Sequence, residues 1–278
     1  FIDWGSYRSL FEQEAGRLAQ CAMLSGLPNR HKFAPSLNEW LDAWQRGEGE
    51  RPLVAYIDLD HFKEVNDTLG HDIGDALVRA VGRILSAALP YGHLLARLGG
   101  DEFAVLTITA DPLAGWKLGR ELCTAFTEPV RADDHDVTVS ASIGIAIPKT
   151  VDTSSAQLMR EADIALYRAK EAGRGRAVIF RPEMGAAVER RRRTELDLRA
   201  AIAEGQLRLV YQPVLTIDGS PQFDSVEALL RWDHPERGLI SPDEFIPIAE
   251  TSGQMTVLGE WALARALKDS ARWPGLQV

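Results

Sequence analysis

The chain has 278 residues, of which 45% are hydrophobic and 26% charged, and its formal net charge at pH 7 is −9. This composition predicts a folded protein of two domains and excludes a disordered chain, and the acidic balance argues against a broad nucleic-acid-binding surface. The sequence contains no apolar run of the roughly 18 residues that a membrane span needs. Its two cysteines, Cys21 and Cys123, are expected to act as small hydrophobic side chains and not to form a disulfide, which fits a reducing compartment.

The first predicted element is an amphipathic helix within residues 1–21, in which apolar residues recur at near-helical spacing from Leu10 to Cys21. The stretch "SGLPNR" at 25–30 interrupts it. Because the sequence starts at Phe1 and not at Met, we interpret it as a piece of a longer cytoplasmic protein, for which an upstream membrane anchor is one option. The chain itself is expected to contact neither nucleic acid nor membrane.

A short apolar strand, "PLVAYIDLD" at 52–60, follows and ends in two acids. A helix that starts near Asp72 and is terminated by Pro90 comes next. The strands "HLLARL" and "EFAVLTIT" then enclose Gly99 and Gly100, a dipeptide able to take the positive φ angles of a two-residue hairpin. A hairpin between helices favours an α+β fold over a doubly wound parallel sheet.

A further helix over about 112–126 leads to "VTVSASIGIAIP", whose strict alternation from Val137 to Ile147 predicts one strand buried on a single face. The last helix starts at a serine and stops at Gly173, before a final short strand. The predicted order is βααββαβαβ.

The two acids Asp58 and Asp101 end the first strand and occupy the hairpin turn. Central strands of one sheet would bring these carboxylates together, where a divalent cation such as Mg²⁺, bound with substrate phosphates, would offset their repulsion. Without other information, Gly-Gly-Asp-Glu between two strands is most often a plain solvated hairpin.

Four motifs in order carry a resemblance to a known family. "RLGGDEF" at 97–103 and "IDLDHFKEVNDTLGHDIGDALV" at 57–78, with "SGLPNR" and "ADIALYRAKEAGRGR" at 162–176, resemble the GGDEF family of diguanylate cyclases. The resemblance implies an α+β GGDEF domain at 22–181, similar to the palm of nucleotidyl cyclases. It further implies that a homodimer converts two GTP molecules into cyclic di-GMP and pyrophosphate with Mg²⁺ or Mn²⁺.

Carried over by this resemblance, the metal ligands are Asp58, Asp101 and the carbonyl of Leu59, and the catalytic residues are Asp101, Glu102 and Lys63. Either Asp101 or Glu102 takes the 3′-hydroxyl proton, and the sequence does not decide between them. The substrate-binding residues are Phe62, Lys63, Asn66, His71, Asp75, Gly99, Gly100, Lys170 and Arg174.

Several of these assignments have simpler alternatives. Asn66 and Asp75 match the pair that reads guanine, whereas His71 is equally well explained as a residue that packs the turn. Lys170 and Arg174, four residues apart, are expected to share one helix face and match phosphate contacts. Without the resemblance they would be ordinary cations at a helix C-terminus.

The family's inhibitory Arg-x-x-Asp site is replaced by "PYGH" at 90–93, so we expect no strong product inhibition there. Past a linker helix at 182–205, "LRLVYQPV" and "SVEALLRW" resemble the start of an EAL phosphodiesterase domain at 206–278. In that family Glu227 matches a metal ligand, and Gln212 and Arg231 match cyclic di-GMP contacts.

The EAL fold is a TIM-like barrel, and such barrels take roughly 250 residues. The segment 206–278 is therefore expected to be an incomplete barrel without phosphodiesterase activity. An alternative to an active cyclase is a GTP-binding regulatory module that controls an adjoining EAL phosphodiesterase in a longer bifunctional protein.

Overall fold

The structure, a computed structural model, describes residues 20–89, 92–111, 113–214 and 225–278. The chain divides into two compact units, 1–185 and 186–278. The predicted helix of residues 1–21 lies almost entirely outside the described residues, as do Pro90 and Tyr91 of the "PYGH" stretch. Cys21, which the prediction placed at the end of this helix, instead pairs with Pro28 in an isolated β-bridge.

The first unit contains the predicted order of strands and helices, preceded by one unpredicted helix and enlarged by one small hairpin. Its elements are α1 (Arg30–Gln45), β1 (Arg51–Leu59), α2 (Phe62–Leu69), α3 (His71–Ala88), β2 (Leu94–Gly99), β3 (Glu102–Thr109), α4 (Ala114–Thr124), β4 (Val130–Ala132), β5 (His135–Val137), β6 (Ala141–Ala146), α5 (Ser155–Glu171) and β7 (Ala177–Ile179).

The main sheet has five strands in the order β2-β3-β1-β6-β7. Strand β1 lies at its centre, antiparallel to both β3 and β6, while β6 and β7 run parallel. Alternate residues of β1 enter two different cores: Ile57 packs with side chains of α3 and α4, and Tyr56 packs with side chains of α1 and α5. The mixed sheet covered by helices confirms the predicted α+β class.

The prediction of one strand over 137–147 with a single buried face is wrong. The segment forms two strands, β5 and β6, and all six residues of β6 are buried. Both faces of β6 are covered because helices pack on both sides of the sheet, α4 on one side and α5 on the other. A Cβ on Gly144 would stand 2.0 Å from the carbonyl oxygen of Ala162, so α5 packs directly on the backbone of β6.

Two helix starts of the first unit have side-chain caps. Ser154 accepts a hydrogen bond from Gln157 N at 3.2 Å, and Gly173, with φ +107°, follows the end of α5, as predicted. Helix α1 starts after Asn29, whose side chain accepts from the backbone N–H of His31 and Lys32. It was not predicted, because Pro35 lies within it and weakens the helical signal.

The second unit is built around a three-stranded antiparallel sheet in the order β10-β9-β8. Its elements are the greater part of α6 (Pro182–Glu204), then β8 (Leu207–Val214), β9 (Ser225–His234), β10 (Gly238–Ile240), α7 (Pro242–Thr251) and α8 (Met255–Ser270). Trp232 is fully buried, with its ring edge-on to Phe245 at 5.5 Å between centroids. The described strands of this unit do not close into a barrel.

None of the described helices is both long and apolar enough to cross a lipid bilayer.

Candidate functional site

The end of β1 and the start of β3 bring three acids together. Asp58 lies directly opposite Glu102 in the β1–β3 ladder, and Leu59 N donates a hydrogen bond to the carbonyl oxygen of Asp101 at 3.3 Å. The β-sheet register therefore places the carboxylate of Asp58 beside the hairpin that carries Asp101 and Glu102.

The hairpin turn consists of Gly100 and Asp101, because Gly99 is already paired with Glu102. Only Gly100, at φ +46°, is in the left-handed region, so the expectation of positive φ at both glycines is wrong. Arg97 braces the turn by donating from Nε and Nη2 to the Gly100 carbonyl oxygen at 3.0 and 2.7 Å. Burial lowers the pKa of Arg97, an effect that the neighbouring charges of Asp75 and Asp101 oppose.

Asp58 is paired with a cation from another element. Its carboxylate, whose side chain is 15% exposed, lies 2.7 Å from Nζ of Lys170 on α5. Burial raises the pKa of Asp58. The hydrogen bond and charge of Lys170 oppose that rise, and the nearby charges of Asp101 and Asp60 add to it. The site thus disfavours an uncompensated carboxylate and favours a cation next to Asp58.

The second acid of the motif has a different partner. Glu102 accepts a hydrogen bond from the hydroxyl of Tyr56, and burial together with this carboxylate raises the pKa of Tyr56 to about 12. Tyr56 and Asp58 are two residues apart on β1 and so lie on the same face of the sheet. The hydrogen bond from Tyr56 therefore holds Glu102 on the face that also carries Asp58.

Asp60 is the residue of this region that sequence reasoning missed. It is 4% exposed, and its carboxylate accepts hydrogen bonds from Ser140 Oγ at 2.6 Å, Ser142 Oγ at 2.7 Å and Gly175 N at 3.0 Å. These bonds connect the end of β1 to β6 and to the loop after α5. The available signal was an acid at the end of an otherwise apolar strand.

Helix α2 starts beside the acids with two free donors. His61, which precedes it, is in the left-handed region at φ +61°. The carbonyl oxygen of His61 accepts hydrogen bonds from the N–H groups of Glu64 and Val65. In the part of the chain that the structure describes, the N–H groups of Phe62 and Lys63 have no acceptor, which suits them to bind an anion.

The predicted guanine pair lies where α2 meets α3. The amide of Asn66 packs against the backbone of Gly74: a Cβ at Gly74 would be 1.9 Å from Asn66 Oδ1. Asp75 is the next residue and is exposed, and His71 is exposed as the first residue of α3. The structure therefore places the Asn66 amide against Gly74, the residue that precedes Asp75 in α3.

Lys170 and Arg174 do not share a helix face, which corrects the prediction. Helix α5 ends at Glu171, and Arg174 lies in the following loop at φ +56°, with its N–H bonded to the carbonyl of Ala169 at 3.1 Å. Gly173 interrupts the helix before Arg174 is reached. Arg174 is exposed and precedes Gly175, the residue that Asp60 binds.

In the second unit, Gln212 and Glu227 are directly opposite each other in the β8–β9 ladder. Arg231 lies further along β9, opposite Arg208, and donates to the carbonyl of Leu230 at 2.7 Å. By strand alternation, Gln212, Glu227 and Arg231 lie on the face of the sheet opposite Trp232.

The oxygen donors at the end of β1 fit a divalent cation. Carboxylates of Asp58 and Asp101 and the carbonyl of Leu59 are hard ligands of the kind that Mg²⁺ takes. Burial raises the pKa of Asp58, and its carboxylate is already paired with the ammonium of Lys170, which a cation bound there would displace. Within residues 20–89, 92–111, 113–214 and 225–278, no group of three or more His, Cys, Asp and Glu side chains is placed to hold a metal ion.

Comparison with known proteins assigns both parts of the chain. The profile of "Diguanylate cyclase, GGDEF domain" matches residues 19–176, and that of the EAL domain matches residues 195–277. The GGDEF domain of TpbB (YfiN) from Pseudomonas aeruginosa is a similar solved structure, with 35% identity and a TM-score of 0.57. The match covers 61% of this chain and 99% of that one.

Two curated relatives match this chain over most of its length, so that each match includes residues of both units. The chain is 38% identical to the cyclic di-GMP phosphodiesterase PdeR of Escherichia coli over 92% of its length, and 37% identical to the bifunctional diguanylate cyclase/phosphodiesterase MucR of Pseudomonas aeruginosa over 94%. It spans 38% of the length of each relative.

Proposed function

We propose that this chain, which belongs to the GGDEF family of diguanylate cyclases and continues into part of an EAL domain, binds GTP at the end of β1 and condenses two GTP molecules into cyclic di-GMP and pyrophosphate. The observation that carries the proposal is the position of Asp58 opposite the Asp101–Glu102 hairpin, with Lys170 bound to it. In that arrangement β1, the hairpin before β3 and α5 bring acids and a cation close together, groups that suit a nucleoside triphosphate and its cation.

Guanine would be read by Asn66 and Asp75. The amide supplies a donor and an acceptor, and the carboxylate accepts two N–H groups of the guanine edge. Adenine presents a different pattern, so the pair favours GTP. His71 adds a contact with the substrate in this proposal, since it is exposed at the start of α3, the helix that also carries Asp75.

The triphosphate would lie between α2 and the loop after α5. The N–H groups of Phe62 and Lys63 and the ammonium of Lys63 face the β- and γ-phosphates from one side. Lys170 and Arg174 contribute cations from the other. Gly99 and Gly100 have no side chains, which allows the phosphates to approach the hairpin backbone.

Mg²⁺ or Mn²⁺, held by Asp58, Asp101 and the carbonyl of Leu59, would polarise the α-phosphate and neutralise the leaving pyrophosphate. The chain's own acids manage the proton: the attacking 3′-hydroxyl transfers it to a carboxylate of the Asp101–Glu102 pair. Each GGDEF domain binds one GTP, so two copies of the chain must face each other for the 3′-hydroxyl of one nucleotide to reach the α-phosphate of the other.

A GTP-binding regulatory module is the second candidate function. It is favoured by the 38% identity to PdeR, a protein named as a cyclic di-GMP phosphodiesterase. In the same proposal Gln212, Glu227 and Arg231 belong to a cyclic di-GMP site of the EAL part, and residues 206–278 alone have no phosphodiesterase activity.

The test is equilibrium binding of a non-hydrolysable GTP analogue to the full chain, with and without Mg²⁺, followed by product analysis with GTP. Asp101→Asn is expected to weaken Mg²⁺-dependent binding at least tenfold, while Asp111→Asn, an acid at the far end of β3 that pairs with Lys117, leaves it unchanged. Equal binding by both variants contradicts the site. Binding without product selects the regulatory function.

A further inference from the structure

Gly74 occupies a helical position where glycine is not required by the backbone. It lies in the fourth position of α3, is buried, and does not have a positive φ. A glycine inside a helix is less favourable than alanine by roughly 1 kcal/mol. The reason for the glycine must therefore be sought in what surrounds it.

The space above Gly74 is taken by Asn66. A Cβ at Gly74 would lie 1.9 Å from Oδ1 and 3.0 Å from Cγ of Asn66, and 3.4 Å from Cζ of Phe62. The first of these distances is far below any contact that real Cβ atoms make. Because the colliding atoms are the end of a side chain and not backbone, a methyl group at Gly74 would turn the Asn66 amide away and leave the helix intact.

We propose that Gly74 is a positioning residue for base specificity: its missing side chain is the cradle that holds the Asn66 amide next to Asp75. The proposal rests on the proposed function, in which Asn66 and Asp75 read guanine. Gly74 itself touches no substrate. It acts through Asn66, so its replacement would change which nucleotide binds while preserving the fold.

The experiment compares Gly74→Ala with Gly82→Ala in the full chain. Gly82 is a matched control, because it is a buried glycine of the same helix, and among the described residues its Cβ would meet only Leu27, at 3.1 Å. For each variant, the dissociation constants of non-hydrolysable GTP and ATP analogues are measured with Mg²⁺. Gly74→Ala is expected to weaken GTP binding on the order of 10- to 100-fold with little change for ATP, the range of one two-bond base contact. Gly82→Ala keeps the preference of the wild type.

A double-mutant cycle on thermal stability tests the same contact without nucleotide. Asn66→Ala removes the amide that a methyl group at position 74 would meet. The change in melting temperature caused by Gly74→Ala should therefore be more favourable in the Asn66→Ala background than in the wild-type chain.

The outcomes separate the two proposals. A wild-type chain without preference for GTP over ATP contradicts the proposed function. A wild-type chain with that preference, and Gly74→Ala with the same preference, overturns the role of Gly74 alone. Loss of folding in Gly74→Ala also overturns it, since the collision would then fall on backbone rather than on the Asn66 amide.

Discussion

Replacing Asp60 by alanine is expected to destabilise the first unit strongly. The carboxylate is 4% exposed and accepts three hydrogen bonds, from the hydroxyls of Ser140 and Ser142 and from Gly175 N. Alanine would leave these donors without their acceptor. It would also release the loop after α5, which carries Arg174, from the end of β1.

The magnitude follows from the three bonds and the burial. Hydrogen bonds to a charged acceptor contribute about 1.5–3 kcal/mol each, and the cost of burying the carboxylate, several kcal/mol, offsets part of their sum. The expected net loss in the free energy of unfolding is about 3–4 kcal/mol. Since domains are stable by roughly 5–15 kcal/mol, the variant should still fold.

Asp60→Asn is the matched control. An asparagine can keep its oxygen toward Ser140 and Gly175 and turn its amide nitrogen toward the hydroxyl of Ser142, so we expect a loss of about 1 kcal/mol.

Hydrogen–deuterium exchange resolved by mass spectrometry measures both effects in the full chain. A loss of 3 kcal/mol corresponds to roughly 150-fold faster exchange in peptides from β1 and β6, while peptides from β9 in the second unit serve as the internal reference. Exchange in β1 and β6 within fivefold of the wild type, or equal acceleration in β9, would refute the reasoning.

Three other substitutions test separate parts of the structure. Lys170→Met removes the ammonium that pairs with Asp58, and because this pair is partly exposed, Mn²⁺ should bind about fivefold more tightly to the variant. Electron paramagnetic resonance measures the binding. Unchanged or weaker binding would show that Lys170 does not compete with a cation. Glu244 has a lowered pKa, because bonds from Arg237 and Thr194 outweigh its burial. The ionised Glu244 stabilises the second unit fully above the usual pKa of 4.5, and this contribution is lost as the pH falls through the lowered pKa of the folded state. Glu244→Gln should therefore make the stability of the second unit fall less steeply as the pH is lowered. An unchanged dependence of stability on acid pH contradicts this. Gly144→Ala should lower the free energy of unfolding in urea by about 3 kcal/mol, because its Cβ would stand 2.0 Å from the backbone oxygen of Ala162. A variant of normal stability would disprove this close packing.

The parts of the fold that depend on local signals could be predicted from the sequence. The strand that carries Asp58, the hairpin turn at Gly100 and the capped start of α5 at Ser154 each have turn, cap or apolar patterns within a few residues. Helix α1 was missed because Pro35 contradicts the local rule while tertiary packing stabilises the helix.

The parts of the site that depend on distant contacts could not be predicted. The three donors to Asp60 are 80, 82 and 115 residues away in sequence, so no local pattern reveals them. The space that Gly74 leaves for Asn66 likewise exists only where α2 and α3 pack. The position of Arg174 outside α5 follows from where the helix ends, and element ends are the least predictable feature of a sequence.

The most direct test of the account is the rate at which the purified chain converts GTP into cyclic di-GMP with Mg²⁺, measured by chromatography over a range of protein concentrations. We predict product formation that rises more steeply than linearly with protein concentration, as a reaction between two facing GGDEF domains requires, and that disappears in Asp101→Asn. Absence of cyclic di-GMP at every concentration, or undiminished formation by Asp101→Asn, would contradict the proposal that Asp58 and the Asp101–Glu102 hairpin form a cyclase site.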